Sequence, residues 1–359
     1  MKPLRLIPAN DTFRALSSCI EMLDGKIALF ITEPELNGLM PEVHGLPDQV
    51  SDELALIVES SGSTGTPKRI ELSAQALKAS AKASAERLGG EGQWLLALPT
   101  KFIAGINVLI RSVIADTQPV IMNTQLPFTA DAFFRAASLM TESKRFTSLV
   151  PAQLARLLEA VRTDAYSLNL LRRFDAILVG GQMPDASVVE ELRDLGVNIV
   201  ISYGMSETAG GCVYDSVPLS GVSVNIREGR IAISGDVLAN GLAPEFLTSD
   251  LGEIRDGKVF VTGRADRVII SGGHKVSLEA IEAKAAEFAG VSEVAAAAVA
   301  TSWGESLGLV YSGTPGVDFA SLEKLSVAAK PHRVLHVESL PRLVSGKADL
   351  MAIAKLLSE

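Results

Sequence analysis

Only two cysteines, Cys19 and Cys212, occur in 359 residues, far apart and without metal-ligand spacing. A disulfide framework is therefore disfavoured, and a reducing compartment is the simple reading. Basic excess is missing as well: 33 Lys and Arg stand against 42 Asp and Glu, a formal charge of −9. A nucleic-acid interface needs a basic footprint, so that class is set aside. No apolar run approaches the ~20 residues that cross a bilayer; the longest extends from Val294 to Thr301. The start, Met1-Lys2-Pro3-Leu4-Arg5, carries charge but no apolar signal core, so a cytoplasmic protein is expected. Internal repeats and low-complexity tracts are also lacking. What remains, 47% hydrophobic and 21% charged, is an ordinary globular composition, long enough for two domains.

One stretch departs from that plain background. Ser60-Ser61-Gly62-Ser63-Thr64-Gly65-Thr66-Pro67-Lys68 follows an apolar run, Leu54 to Val58, that reads as a buried strand. Beyond it, Ser73 is placed to cap an alanine-rich helix. Glycines at 62 and 65 let the backbone approach a ligand with N–H groups turned inward, as in an anion nest. Five hydroxyls and the Lys68 ammonium add donors for phosphate oxygens. A flexible Gly/Ser linker has a similar composition, but a linker needs neither the strand before it nor Pro-Lys at its end. The mononucleotide P-loop G-x-x-x-x-G-K-[ST] is not met, because Thr66-Pro67 follows Gly65.

Elsewhere, apolar strands alternate with amphipathic segments. Helices are expected over Thr12 to Leu23, Ser73 to Leu88, from Ile103, over Asp131 to Glu142 and over Ser187 to Leu195. Strands are expected at Ile27 to Thr32, Trp94 to Leu98, Pro119 to Met122, from Thr147, from Phe174 and from Asn198. This alternation implies parallel α/β layers. After Gly211 the texture changes to short antiparallel strands with turns such as Asp256-Gly257. A final segment reads strand, Ser277-led helix, strand, strand, helix. The expected fold class is α/β: a large N-terminal α/β domain over 1–265, with parallel layers, a small antiparallel part and a trimmed N-terminal lobe. A mobile α+β domain over 266–359 follows it.

Six further motifs stand in order. They are Gly180-Gly181-Gln182, Tyr203-Gly204-Met205-Ser206-Glu207, Thr248-Ser249-Asp250, Gly263-Arg264-Ala265-Asp266, Ser271-Gly272-Gly273 and Leu340-Pro341-Arg342-Leu343-Val344-Ser345-Gly346-Lys347. Each has an ordinary explanation: a strand-end turn, a core aromatic, a solvated acid, an exposed loop lysine. Together with the loop, in this order, they resemble the AMP-forming acyl-adenylating superfamily of acyl-CoA synthetases, adenylation domains and luciferases. The resemblance covers roughly residues 57 to 350. It implies that ATP and Mg²⁺ are bound, with the 60–68 loop cradling the pyrophosphate. Gly180, Gly181 and Gln182 would lie along adenine and the Tyr203 ring would stack on it, beside Gly204. Ser206 would contact the α-phosphate, Glu207 would hold Mg²⁺, and Asp250 and Arg264 would take the ribose. Asp266 would be the hinge, Gly272 and Gly273 would line a thiol tunnel after rotation, and Lys347 would be the catalytic lysine.

Only 59 residues precede Ser60. With the segment from Leu98 to Ser112, this short start resembles the short actinobacterial-type o-succinylbenzoate–CoA ligases of menaquinone synthesis. Phe102 stands where their L-P-x-x-H-x-x-G region usually has His or another aromatic, and Arg69 follows Lys68 where glycine is usual. Phe102 would gate the acyl pocket, and Gly210 and Gly211 would leave room for a ring. Lys101, Asn107 and Arg111 would border the pocket, although Lys101 and Arg111 read equally as surface charges. A buried second carboxylate on the acid needs such a cation or several donors. The expected partners are thus an aromatic carboxylic acid, ATP and coenzyme A, with no nucleic acid, no membrane span and a homodimer as the candidate assembly. Other aryl-CoA ligases, carrier-loading enzymes and a non-catalytic nucleotide binder remain as alternatives. His332 and His336 lack the H-E-x-x-H glutamate, and His274 stands in the expected thiol-tunnel loop.

Overall fold

Most helix starts coincide with side-chain acceptors supplied by the sequence, those at Ile103 and Pro151 excepted. Asp11 accepts the Arg14 amide at the head of α1 (Thr12–Leu23), and Ser73 accepts the Ala76 amide at the head of α2 (Ala74–Arg87). Such caps contribute about 1 kcal/mol each. The remaining helices are α3 (Ile103–Ile114), α4 (Ala130–Ser138), α5 (Pro151–Val161), α6 (Ala165–Arg172), α7 (Ala186–Asp194), α8 (Leu278–Ala286) and α9 (Leu350–Ser358). The structure, a computed structural model, describes residues 1–33, 45–60, 68–271, 274–301, 304–324, 329–343 and 348–359. Ser61, Gly62, Ser63, Thr64, Gly65, Thr66, Gly272, Gly273 and Lys347 lie outside the described residues.

Two sheets dominate residues 1–218. Strands β1 (Lys2–Pro8), β2 (Ala28–Thr32), β3 (Gln49–Val50), β4 (Leu54–Ser60) and β5 (Lys68–Ser73) lie in the order β3-β1-β2-β4-β5. Strands β6 (Gln93–Leu96), β7 (Val120–Ile121), β8 (Arg145–Leu149), β9 (Ala176–Val179), β10 (Ile199–Met205), β11 (Gly210–Tyr214) and β12 (Val217–Pro218) lie in the order β12-β11-β10-β9-β8-β6-β7. Strands β6 to β10 are mutually parallel, as the strand–helix alternation implies.

The two-residue period of a strand decides which core each side chain enters. Trp94, Leu96, Ala176 and Leu178 face the core shared with α1, α2, α3 and the first sheet. Leu95, Ile177 and Val179 face the opposite core, formed with α4 to α7. Helix α3 is buried over every residue from Gly105 to Ser112, which explains its apolar sequence. Each large aliphatic side chain buried there contributes roughly 1.5–3 kcal/mol.

Then follow β13 (Val222–Arg227), β14 (Arg230–Gly235), β15 (Phe246–Arg255) and β16 (Lys258–Arg264), an antiparallel sheet in sequence order. The Asp256-Gly257 turn between the last two has both residues at positive φ, 50° and 72°, as its sequence anticipates. The last segment holds β17 (Val268–Ser271) and β18 (His274–Ser277), then β19 (Val291–Thr301), β20 (Gly304–Gly313) and β21 (Arg333–His336). Ser277 caps α8. The buried apolar residues from Ile269 onward form two clusters of their own. No helix among the described residues is long and apolar enough to cross a membrane.

Several local expectations are corrected. Ile70-Glu71-Leu72 belongs to β5, which pairs antiparallel with β4. Helix α4 ends at Ser138, short of Glu142. Helix α6 and strands β18 and β20 fall where no separate element is expected. Both cysteines are buried, and burial pushes each thiol up to about 12. Neither should react with 5,5′-dithiobis(2-nitrobenzoate) at pH 8 in the native state, and both should react in denaturant; native labelling would show that these packing layers open.

Candidate active site

Strands β6, β9 and β10 run parallel, so their carboxyl ends open on one edge of the sheet, where α/β folds bind ligands. The candidate residues cluster there. Gly180, Gly181 and Gln182 follow β9, and Lys101 and Phe102 lie between β6 and α3. Tyr203, Gly204 and Met205 end β10. Gly204 has φ 159°, and a Cβ there would lie 2.7 Å from the Gly211 Cα. Only glycine allows β11 to fold back so closely against β10.

Ser206, Glu207 and Thr208 form a single 3₁₀ turn between these strands. The Thr208 hydroxyl accepts the Met205 amide (3.0 Å) and donates to the Gly210 carbonyl (2.7 Å). Ala209 closes the turn in the left-handed region, φ 49°. The Ala239 amide donates to the Glu207 carbonyl (2.8 Å), and the Asn240 amide donates to the Glu71 carbonyl of β5 (2.9 Å). Two adjacent amides thereby tie the turn to β5. Ser60 and Lys68 pair directly across β4 and β5. The Glu207 carboxylate is half-buried and has no hydrogen-bond or ion-pair partner among the described residues.

A charged triad forms the other wall. Asp250 on β15 stands opposite Arg264 on β16 in register. Its carboxylate accepts the Tyr203 hydroxyl (2.8 Å) and an Arg264 N–H (3.1 Å). Arg264 also donates to both Asp266 oxygens, at 2.8 and 2.6 Å. Burial, with Asp250 second, pushes the Tyr203 phenol well above its ordinary range, so it stays a neutral donor. Arg264 holds the Asp266 carboxyl below the usual carboxylate range. Asp250 is itself only 7% exposed.

Three expectations change around α3. The Arg111 guanidinium, expected at the acyl pocket or at the surface, is committed to the core. It lies 4.8 Å from the Trp94 ring centroid and donates to the Tyr214 hydroxyl at 3.3 Å. Asn107 and Arg111 are one helical turn apart and share the buried face, which leaves Arg111 no outward path. Lys101 is no bare surface charge either: its side chain is 15% exposed and pairs with Glu33 at 2.5 Å, beside the Phe102 ring. Nor do Gly210 and Gly211 leave side-chain space for a ring. The space beside Gly210 is taken by the Asn107 amide, and that beside Gly211 by Ser202 and the Tyr214 ring. These glycines permit close packing. His274 starts β18, and His336 contacts the Gly313 carbonyl at 2.8 Å.

Two residues that sequence reasoning did not single out, Ser80 and Ala239, touch the 206–209 turn directly. Serines on the apolar face of α2 were the only signal for the first, and Ala239 offers only its backbone.

The family profile described as "AMP-binding enzyme" matches residues 15–236. The chain belongs to that family. A Mycobacterium tuberculosis protein named "Probable 2-succinylbenzoate--CoA ligase" is 36% identical over 99% of this chain and 98% of its own length. A "2-succinylbenzoate--CoA ligase" of Staphylococcus epidermidis is 27% identical over 82% of this chain and 68% of its own. Among solved structures, o-succinylbenzoate CoA synthetase (MenE) from Bacillus subtilis with the acyl-adenylate intermediate OSB-AMP superposes with a TM-score of 0.75. That match has 22% identity and covers 98% of this chain and 82% of the other. The same enzyme with ATP and magnesium ion gives 0.73, at 22% identity over 95% and 82%. The structural likenesses establish the fold, a mixed α/β architecture.

Proposed function

We propose that this chain is an AMP-forming o-succinylbenzoate–coenzyme A ligase of menaquinone biosynthesis. The observation that carries the adenylation reading is the Tyr203–Asp250–Arg264 triad, in which Tyr203 lies three residues before the 206–208 turn. The acid is inferred from the relatives' names. In the first half-reaction a carboxylate oxygen attacks the α-phosphorus of ATP, the bond to the β-phosphate breaks and pyrophosphate leaves. In the second, the coenzyme A thiol attacks the acyl carbon, its proton passes to solvent and AMP leaves.

Both first-step reactants are anionic, so the protein must offset repulsion and hold an in-line geometry. Asp250 accepts the ribose hydroxyls beside Arg264, and the Tyr203 ring and the 180–182 backbone flank adenine. Ser60, Lys68 and the residues between them hold the departing pyrophosphate, Ser206 donates to the α-phosphate, and Lys347 bridges it to the carboxylate. A lone, unpaired carboxylate at Glu207 suits Mg²⁺, which keeps most of its shell for phosphates and water; bound there, the ion would neutralise phosphate charge. We place the domain boundary at Asp266. Rotation about it would withdraw Lys347 and bring Gly272 and Gly273 to the acyl-adenylate. Phe102 gates the acid, and Lys101 pairs with its second carboxylate by exchanging Glu33. The assembly unit of this reading is a homodimer.

The test is pyrophosphate release with a panel of aromatic acids, with and without coenzyme A. Release with o-succinylbenzoate and formation of its thioester are expected; preference for plain benzoates would move the reading to another aryl-CoA ligase. In the same assay Lys101→Ala should raise the KM for the acid roughly tenfold, the loss of one charged contact, and leave that for ATP nearly unchanged. Equal rises for both would remove Lys101 from the acid site.

A further inference from the structure

The turn carrying Ser206 and Glu207 ends at Ala209, whose left-handed backbone is disfavoured for any residue with a Cβ. Left alone, such a residue relaxes to an extended or right-handed conformation and carries its neighbours with it. Here its carbonyl accepts two buried hydrogen bonds from separate helices. The Ser80 hydroxyl of α2 donates at 3.0 Å and the Asn107 amide of α3 donates at 2.9 Å. Both donors are almost fully buried, at 1% and 4% exposure. Gly210 belongs to the same device, because the Asn107 amide occupies the space its side chain would need. A second pair sits one turn further along each helix, where Ser84 and Arg111 meet the Tyr214 hydroxyl at 2.9 and 3.3 Å.

We propose that Ser80 and Asn107 are positioning residues that clamp the Ala209 carbonyl and so aim Ser206 and Glu207 at the phosphate end of ATP. Both side chains are spent on the Ala209 carbonyl inside the core, which turns Asn107, expected at the acyl pocket, into a support of the turn. Buried polar groups on apolar helix faces are costly unless paired. Pairing with one carbonyl at a strained residue therefore shapes this turn beyond what the core's packing requires. Both helices also pack against the sheets, so the turn is referenced to the rigid centre of the fold. This inference rests on the adenylating reading above.

The test uses the full chain with Ser80→Ala, Asn107→Leu and the double variant, and Val108→Ala as a core truncation on the same helix. Hydrogen–deuterium exchange of the ligand-free protein should speed up at the amides of residues 205–210 in the clamp variants and not in Val108→Ala. Pyrophosphate release should fall roughly ten- to a hundredfold in kcat, the scale of a misplaced reacting group, with a higher Mg²⁺ requirement. The dissociation constant for AMP, read by calorimetry, should change less than threefold if the triad keeps its grip on the nucleoside. Ser80→Thr, which restores the donor, should recover most of the loss.

Clamp variants that lose only thermal stability, with exchange and Mg²⁺ dependence like those of Val108→Ala, would overturn the positioning role. Wild-type protein releasing no pyrophosphate with any acid would instead overturn the adenylating reading. The exchange result tests the clamp in either case.

Discussion

Asp250→Ala is expected to weaken ATP and AMP binding roughly a hundredfold, equivalent to about 3 kcal/mol. The carboxylate has three roles in this prediction. It accepts the Tyr203 hydroxyl and anchors Arg264 across the strand pair, and in the function proposed above its remaining acceptor capacity takes the ribose. Removing it leaves the half-buried Tyr203 phenol without its acceptor, which costs about 1–3 kcal/mol. Arg264 retains Asp266 and is 40% exposed, so its share of the loss is smaller. Asp250→Asn separates charge from shape: it can still accept from Tyr203 but anchors Arg264 more weakly. The Tyr203 phenol should then titrate lower than in the wild type yet above an ordinary tyrosine, because burial is the larger cause of its shift. Calorimetry with AMP and ultraviolet titration of tyrosinate read the two effects. Unchanged AMP affinity in Asp250→Ala would remove the triad from the nucleotide site.

The second large effect is on stability. Gly105 lies in the first turn of α3, where intrinsic propensity favours alanine by about 1 kcal/mol. A Cβ there would lie 2.6 Å from the Pro99 carbonyl carbon and 2.8 Å from the Leu98 oxygen. Both are backbone atoms of the segment leaving β6, a strand held between β8 and β7, so neither can swing aside as a side chain would. Overpacking against such atoms costs roughly 1–3 kcal/mol or more, and sterics should outweigh propensity. Gly105→Ala is expected to lose about 2 kcal/mol net by urea denaturation. A midpoint equal to or above that of the wild type would show that the strand end yields. The glycine of the Leu98-to-Gly105 motif is thus a packing requirement between a helix and the strand that feeds it.

Much of the architecture was legible wherever local chemistry and global fold agree. Asp11, Ser73 and Ser277 announce their helices by capping them. The alternation of Trp94 with Leu95, or Leu178 with Val179, matches a sheet buried on both faces. Strand β5 was not legible because Ile70-Glu71-Leu72 is too short to show a period, and its β4 partner lies across a loop. Strand β20 is broken up by glycines at 304, 308 and 313, which weakens any apolar pattern. At the site, Tyr203, Glu207, Asp250 and Arg264 were readable as motifs. Their mutual geometry was not, since Asp250 meets Tyr203 only through tertiary packing. Arg111 misled for the same reason: a cation on a helix carries no mark saying whether Trp94 or a substrate awaits it. Ser80 stood out in no motif and Asn107 read as a residue of the acyl pocket; both meet at the Ala209 carbonyl, a partner no sequence pattern reveals.

The order of the strands also sets a timetable for synthesis. Both large sheets have all their strands once residue 218 has left the ribosome, and the clamp on Ala209 needs nothing later than Gly210. The ribose grip needs β15 and β16 paired, so it waits for Arg264. A nascent chain between those two lengths already has the donors of the clamp but lacks the paired Asp250 and Arg264.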